Sequence, residues 1–150
     1  MTRKTSEPGV FPGGAGAAES GPLVLIVDDV QDNRTIYVLF LRFSGFRVVE
    51  AENGEEALAK ATSLLPDVIV MDLSLPVMDG WEATRRLKRD PRTQKTPVIV
   101  LTGHALPEHA QAAREAGCDM VITKPCLPDQ LMETIRRILD TPKTRAKSGR

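Results

Sequence analysis

Cysteine is scarce in this chain, and its placement removes whole classes of function. Cys118 and Cys126 form no C-x-x-C pair, lie at no metal-ligand spacing, and are too few to staple 150 residues, so neither a disulfide framework nor a zinc site is expected. A reducing, cytoplasmic compartment fits best. Long hydrophobic runs are missing as well. No stretch approaches the roughly 20 apolar residues of a membrane helix, and residues 1–22, despite Arg3 and Lys4, contain no signal-peptide core. The expectation is no membrane insertion and no export. Neither sign of charge prevails, since 20 Lys and Arg stand against 20 Asp and Glu. No overall field therefore favours direct contact with nucleic acid or with an anionic membrane. No internal repeat recurs at solenoid periods. The length suits one domain with a real core, and hence one activity.

What is present is an alternation. Residues 1–22, rich in Gly, Ala, Pro and Ser, bury too little apolar surface to offset their ordering entropy and read as a disordered leader. Residues 141–150 read as a flexible basic tail. Between them, over 23–140, five short apolar runs recur at 23–27, 46–51, 67–71, 97–102 and 119–123. Leu-Val-Leu-Ile-Val, Val-Ile-Val-Met and Val-Ile-Val-Leu are continuously hydrophobic, as strands of a parallel sheet covered on both faces should be. Helical spacing links Ile36, Leu39, Phe40 and Phe43, then Ala57, Leu58, Ala61 and Leu65, and finally Leu131, Ile135, Ile138 and Leu139. Asn53 can cap the second helix, Pro107 suits the first turn of the fourth, and Gly45 and Gly117 sit where helices should end. The pattern is five βα units, a doubly wound α/β fold in which ligands bind beyond the carboxyl ends of the strands.

The polar residues that interrupt the apolar runs fall at those ends: Asp28 and Asp29 after the first, Asp72 after the third, Thr102 closing the fourth, Lys124 after the fifth. Carboxylates gathered this closely repel and raise one another's pKa unless a cation neutralises them, and hard oxygen donors suit Mg²⁺. One carboxylate can then act as a nucleophile toward a phosphoryl group whose oxygens are held by the metal, an ammonium and a hydroxyl. Phosphoryl transfer to aspartate is the chemistry this set can perform. Taken singly, each residue has an ordinary reading: Asp28 and Asp29 as a helix cap, Asp72 as a turn acid near Pro76 and Asp79-Gly80, Lys124 as a solvated lysine, Thr102 as a strand residue. Their joint placement on one rim weighs against those readings. His104 and His109, five apart, miss the i, i+4 spacing of a metal pair and read as non-ligands, with His104 close to the phosphoryl environment. Cys118 and Cys126 read as small buried apolar groups, and Trp81 as packing or a partner contact.

Val27-Asp28-Asp29, the run Met71-Asp72-Leu73-Ser74-Leu75-Pro76-Val77-Met78-Asp79-Gly80, Leu101-Thr102-Gly103-His104-Ala105 and Thr123-Lys124-Pro125 resemble, in order, the motifs of response-regulator receiver domains of two-component signalling. Each motif alone is weak; four in order, each at a strand end, are specific. The resemblance covers about residues 23–139 and points to the stand-alone type seen in chemotaxis and cell-polarity regulation. It implies a flavodoxin-like (βα)5 three-layer sandwich with a parallel five-stranded sheet in the order 2-1-3-4-5. It also implies Asp72 as phosphoacceptor, and a Mg²⁺ site (Mn²⁺ a substitute) made by Asp28, Asp29, Asp72 and the backbone carbonyl of Ser74. Thr102 and Lys124 would attend the phosphoryl group, and the Lys124-Pro125 bond would be cis. The implied partners are a sensor histidine kinase or histidine phosphotransfer protein and a downstream target protein, with a monomer or a phosphorylation-dependent dimer as the assembly. Such a domain catalyses only its own phosphorylation and dephosphorylation.

One position departs from the family. Where an aromatic residue usually stands three before the lysine, this chain has Val121, so the aromatic rotamer switch of relatives is missing. No output domain is recognisable after residue 140, which leads to the expectation of signalling by binding. Three rivals remain: an aspartyl phosphatase or mutase, a flavodoxin-like nucleotide binder, and a phosphate-independent binding module. The first would normally show Asp-x-Asp where this chain has Asp72-Leu73-Ser74, and the second a phosphate loop where it has Asp28-Asp29-Val30-Gln31-Asp32. Only Val121 favours the third.

Overall fold

Among the described residues, 20–103 and 107–140 of a computed structural model, strands and helices alternate strictly. They are β1 (Leu23–Val27), α1 (Gln31–Phe43), β2 (Arg47–Ala51), α2 (Gly54–Leu64), β3 (Val68–Asp72), α3 (Gly80–Arg89), β4 (Val98–Thr102), α4 (Pro107–Ala116), β5 (Met120–Thr123) and α5 (Pro128–Leu139). The strands form one sheet, all pairs parallel, in the order β2-β1-β3-β4-β5. This is the doubly wound fold and strand order expected. The first 19 residues of the leader, the tail from 141 onward and His104 lie outside the described residues.

The continuous apolar runs are explained by a core on each face. Successive side chains of a strand point to opposite sides, so Val24 and Ile26 join Val38, Leu41, Phe46, Leu131 and Ile135 on the face carrying α1 and α5. Leu25 and Val27 join Ala57, Ala61, Ala83 and Leu87 on the face carrying α2 and α3. Every residue of β1, β3 and β4 is buried. Cys126 belongs to the first core, while Cys118 and Trp81 pack partly buried against the second. Burial pushes both thiols above their ordinary pKa, as expected of inert apolar cysteines.

The punctuation residues act as the sequence suggested. Asn53 accepts a hydrogen bond from the Glu56 amide (2.8 Å), and Asp79 caps α3 in the same way through the Glu82 amide (2.9 Å). Gly45 and Gly117 follow α1 and α4 with φ of 102° and 91°, the region where a side chain is disfavoured. Among the described residues no helix is long and apolar enough to cross a membrane.

The face of α1 is a correction. Periodicity pointed to Ile36, Leu39, Phe40 and Phe43, yet α1 buries Arg34, Val38 and Leu41. Ile36, Leu39 and Phe43 are 56%, 51% and 58% exposed. The segment Ile36-Tyr37-Val38-Leu39-Phe40-Leu41 is apolar nearly all round, so its own pattern supports more than one rotation. Contacts elsewhere select one: Arg34 is drawn inward onto Asp28 and Glu50, and Val38 and Leu41 follow on that side.

Candidate functional site

β1 and β3 are adjacent, with Val27 paired to Met71, so the residues that follow them emerge side by side. Asp28, Asp29 and Asp72 each offer a carboxylate oxygen within 4.8 Å of the others. Asp28 and Asp72 are buried at 2% and 4% exposure, while Asp29 is exposed. Among the described residues this is where carboxylates crowd enough to hold a metal. Two buried acids and one open to solvent, all oxygen donors, form a set suited to a hard cation that keeps part of its water shell. The donor chemistry therefore fits Mg²⁺.

Lys124, after β5, reaches across the end of β4 to place Nζ 2.9 Å from Asp72 Oδ1. Its amide donates to the Thr102 carbonyl (2.7 Å), extending the ladder one residue past the strand. Thr102, buried at 2% exposure, closes β4 between these two residues. Ser74, itself exposed, lies two residues beyond Asp72 in the β3–α3 loop. The Lys124-Pro125 peptide bond is cis, and Val121 is half-buried on the edge strand.

Two residues of this site were not singled out in the sequence. Arg34 is buried, donates from Nη1 to the Asp28 carbonyl (2.7 Å) and from Nε to Glu50 Oε1 (3.0 Å), and so fixes the backbone that presents the acidic pair. Tyr37 donates its hydroxyl to the Cys126 carbonyl, 2.7 Å away. An arginine and a tyrosine within a helical apolar stretch were the available signals, because a buried guanidinium or phenol needs a partner.

Burial is the main influence raising the Asp28 carboxyl above its ordinary pKa, with Asp72 and Asp29 adding to it; the Val30 amide, donating to Oδ1 at 2.8 Å, and Lys124 act in the opposite direction. A raised folded-state pKa means that the folded protein holds this proton more tightly than the unfolded chain. Its contribution to stability is then full at low pH and declines as pH climbs through the window above 3.8. Asp28→Asn keeps the acceptor for Val30 and removes the charge. Without metal, at neutral pH, the variant should be more stable than wild type by about 1 kcal/mol, with the difference vanishing toward pH 3. Its Mg²⁺ affinity should fall by about 10- to 100-fold or more, since even outer-sphere partners of a metal contribute that much. Urea melts across pH and calorimetric Mg²⁺ titration check both signs; an Asp28→Asn protein that is less stable without metal would contradict the account.

The β3–α3 loop holds a strained turn. Val77 adopts φ 71° and is 78% exposed, and the Met78 amide donates to the Pro76 carbonyl across it (2.7 Å). A β-branched residue at positive φ costs about 1–3 kcal/mol. Glycine adopts positive φ without a steric cost, and little packing would be lost at so exposed a position. Val77→Gly should therefore raise stability by up to about 1 kcal/mol, the relieved strain exceeding the added chain entropy of glycine, read as a higher urea midpoint with unchanged slope.

The sequence matches the family described as the response regulator receiver domain over residues 24–136. It is similar to the phosphate regulon transcriptional regulatory protein PhoB of Pseudomonas aeruginosa, 37% identical over 119 residues. Those residues are 79% of this chain and 52% of PhoB, so the chain spans about half the length of that relative. It is similar also to the polar-differentiation response regulator DivK of Brucella anthropi, 35% identical over 116 residues, which are 77% of this chain and 94% of DivK. Among solved structures, the receiver domain of the sensor histidine kinase PA1611 from Pseudomonas aeruginosa superimposes with a TM-score of 0.76 at 31% identity, over 81% of this chain and 100% of that one. That structure has a magnesium ion coordinated in its active site cleft. With the family's motifs at the strand ends and its strand order in the sheet, this chain belongs to the response regulator receiver family, the phosphorelay modules of two-component signal transduction.

Proposed function

We propose that this chain receives a phosphoryl group on Asp72 from a phosphohistidine of a sensor histidine kinase or a histidine phosphotransfer protein. The observation that carries the reading is the 2.9 Å contact between Lys124 Nζ and Asp72 Oδ1 beside two further carboxylates: a nucleophile, a cation for the phosphoryl oxygens and a metal-binding acid pair share one rim. Asp28, Asp29, Asp72 and the Ser74 carbonyl would hold Mg²⁺, with Mn²⁺ as a substitute. When bound, the ion neutralises charge on the acids and on the phosphoryl oxygens.

An Asp72 carboxylate oxygen attacks phosphorus, the P–N bond to the donor imidazole breaks, and the imidazole leaves with the electron pair and takes up a proton. Lys124 exchanges its contact with the carboxylate for one with a phosphoryl oxygen, and the Thr102 hydroxyl donates to another. Attack of water on phosphorus later releases inorganic phosphate and restores the carboxylate. The chain thus catalyses only its own phosphorylation and dephosphorylation. The phosphoryl group shifts an equilibrium between two arrangements of Thr102, Lys124 and the adjoining loops by binding one of them better. A downstream protein reads that difference, in the cytoplasm, with the chain as a monomer or a phosphorylation-dependent dimer.

Incubation with acetyl phosphate and Mg²⁺, followed by intact-mass spectrometry, should detect one added phosphoryl group that hydroxylamine removes and that chelator prevents. Absence of the group with acetyl phosphate, and again with a phosphorylated histidine kinase, would defeat the reading.

A further inference from the structure

Tyr37 lies on the half-buried side of α1, packed against the core shared by α1 and α5. A phenylalanine would fill that position equally well, so packing leaves the hydroxyl unexplained. The hydroxyl donates to the Cys126 carbonyl, 89 residues away in the chain, at 2.7 Å. Burial, then Cys126, Asp28 and Asp72, push the phenol up to about 12, so it remains a donor at every working pH.

Cys126 sits two residues after Lys124, in the stretch between β5 and α5. Its side chain is buried with Leu131 and Ile135, and its carbonyl is held by Tyr37. Lys124 and Asp72 together bridge from the edge strand over β4 to the end of β3, about 10 Å at the usual strand spacing. A contact made across an intervening strand is sensitive to small shifts at the root of the lysine, and the root is followed at once by a segment outside the strand. The Tyr37 hydroxyl ties that segment to α1, whose first turns carry Arg34 and hence the acidic pair.

We propose that Tyr37 is a positioning residue for phosphoryl transfer: its hydrogen bond to the Cys126 carbonyl fixes the loop from which Lys124 reaches Asp72. The proposal rests on the role given to Lys124 above. It acts through Lys124, which follows β5, whereas the carboxylates of the metal set follow β1 and end β3, so a general effect on the fold would lower Mg²⁺ affinity and this one would not.

The test is Tyr37→Phe in the full chain, which keeps the ring and removes one oxygen. The rate of phosphorylation by acetyl phosphate should fall about three- to tenfold, the equivalent of one ordinary hydrogen bond. The Mg²⁺ dissociation constant from calorimetry should stay within about twofold of wild type. The ¹³Cε and ¹⁵Nζ resonances of Lys124 should move toward those of an unpaired lysine. A wild-type rate, a parallel loss of Mg²⁺ affinity, or unmoved Lys124 resonances would each overturn the proposal. If the wild type itself takes no phosphoryl group from any donor, the function reading fails instead, and the Lys124 resonances still decide whether Tyr37 holds that side chain.

Discussion

Asp72→Asn will take up no phosphoryl group under conditions where the wild type takes up one. The amide occupies the same volume at the end of β3, so Leu73 can still donate to Leu101 and the strand register is retained. What changes is chemical: an amide oxygen carries no full negative charge and forms no stable acyl phosphate, so the rate should drop by roughly 10³ or more. The substitution also removes one of three crowded carboxylates, so the metal-free variant should be at least as stable as wild type, and a dead variant cannot be dismissed as unfolded. Lys124 loses its charged partner at 2.9 Å, but the lysine left behind is 32% exposed and can turn to water, so the loss costs little in stability although Asp72 is buried. Intact mass after acetyl phosphate treatment, with urea melts of both proteins, gives the answer. Uptake by Asp72→Asn at the wild-type rate would move the phosphorylation site elsewhere on the chain.

Gly80→Ala should destabilise the fold by about 3 kcal/mol, the upper part of the range for overpacking against an unyielding neighbour. A Cβ at Gly80 would stand 2.6 Å from the Asp72 carbonyl oxygen and 2.9 Å from Leu73 Cα, both backbone atoms of the buried central strand or its continuation. Helix α3 begins at Gly80, whose amide donates to the Leu73 carbonyl at 3.0 Å. The helix start is thus pressed against the strand end that carries Asp72. Relief requires moving α3 outward, which breaks that hydrogen bond and loosens the contacts of Ala83 and Leu87 in the core. Gly103→Ala is the control, since among the described residues nothing lies within 4 Å of a Cβ there; its urea midpoint should correspond to a change of about 0.5 kcal/mol or less. Equal midpoints for the two variants would show that α3 is free to shift.

Asp79-Gly80 was read from the sequence as a turn pair and as part of a family motif. The structure adds why the glycine stands there: Asp79 caps the helix and Gly80 allows backbone to touch backbone. Close approach between two segments leaves no mark on local pattern, so the requirement for glycine was invisible until both segments were in place.

The parallel strands, their order of occurrence and the polar residues at their ends were legible along the chain. A strand buried on both faces must be apolar at every position, and Leu23–Val27, Val68–Asp72 and Val98–Thr102 show this over consecutive residues, broken only where Asp72 and Thr102 reach the rim. The order 2-1-3-4-5 came from family resemblance, because nothing in the periodicity of one strand states which neighbour it pairs with. That pairing brings Asp28 beside Asp72, and Lys124 across β4 to Asp72. The rotation of α1 belongs to the same class. Its apolar residues are compatible with several buried faces, and the one adopted depends on Glu50, 16 residues from Arg34, and on Cys126, 89 residues from Tyr37. Local burial requirements act on neighbouring residues and are written into composition and period, whereas a hydrogen bond between distant segments costs chain entropy to close and exists only once the sheet has brought its two ends together.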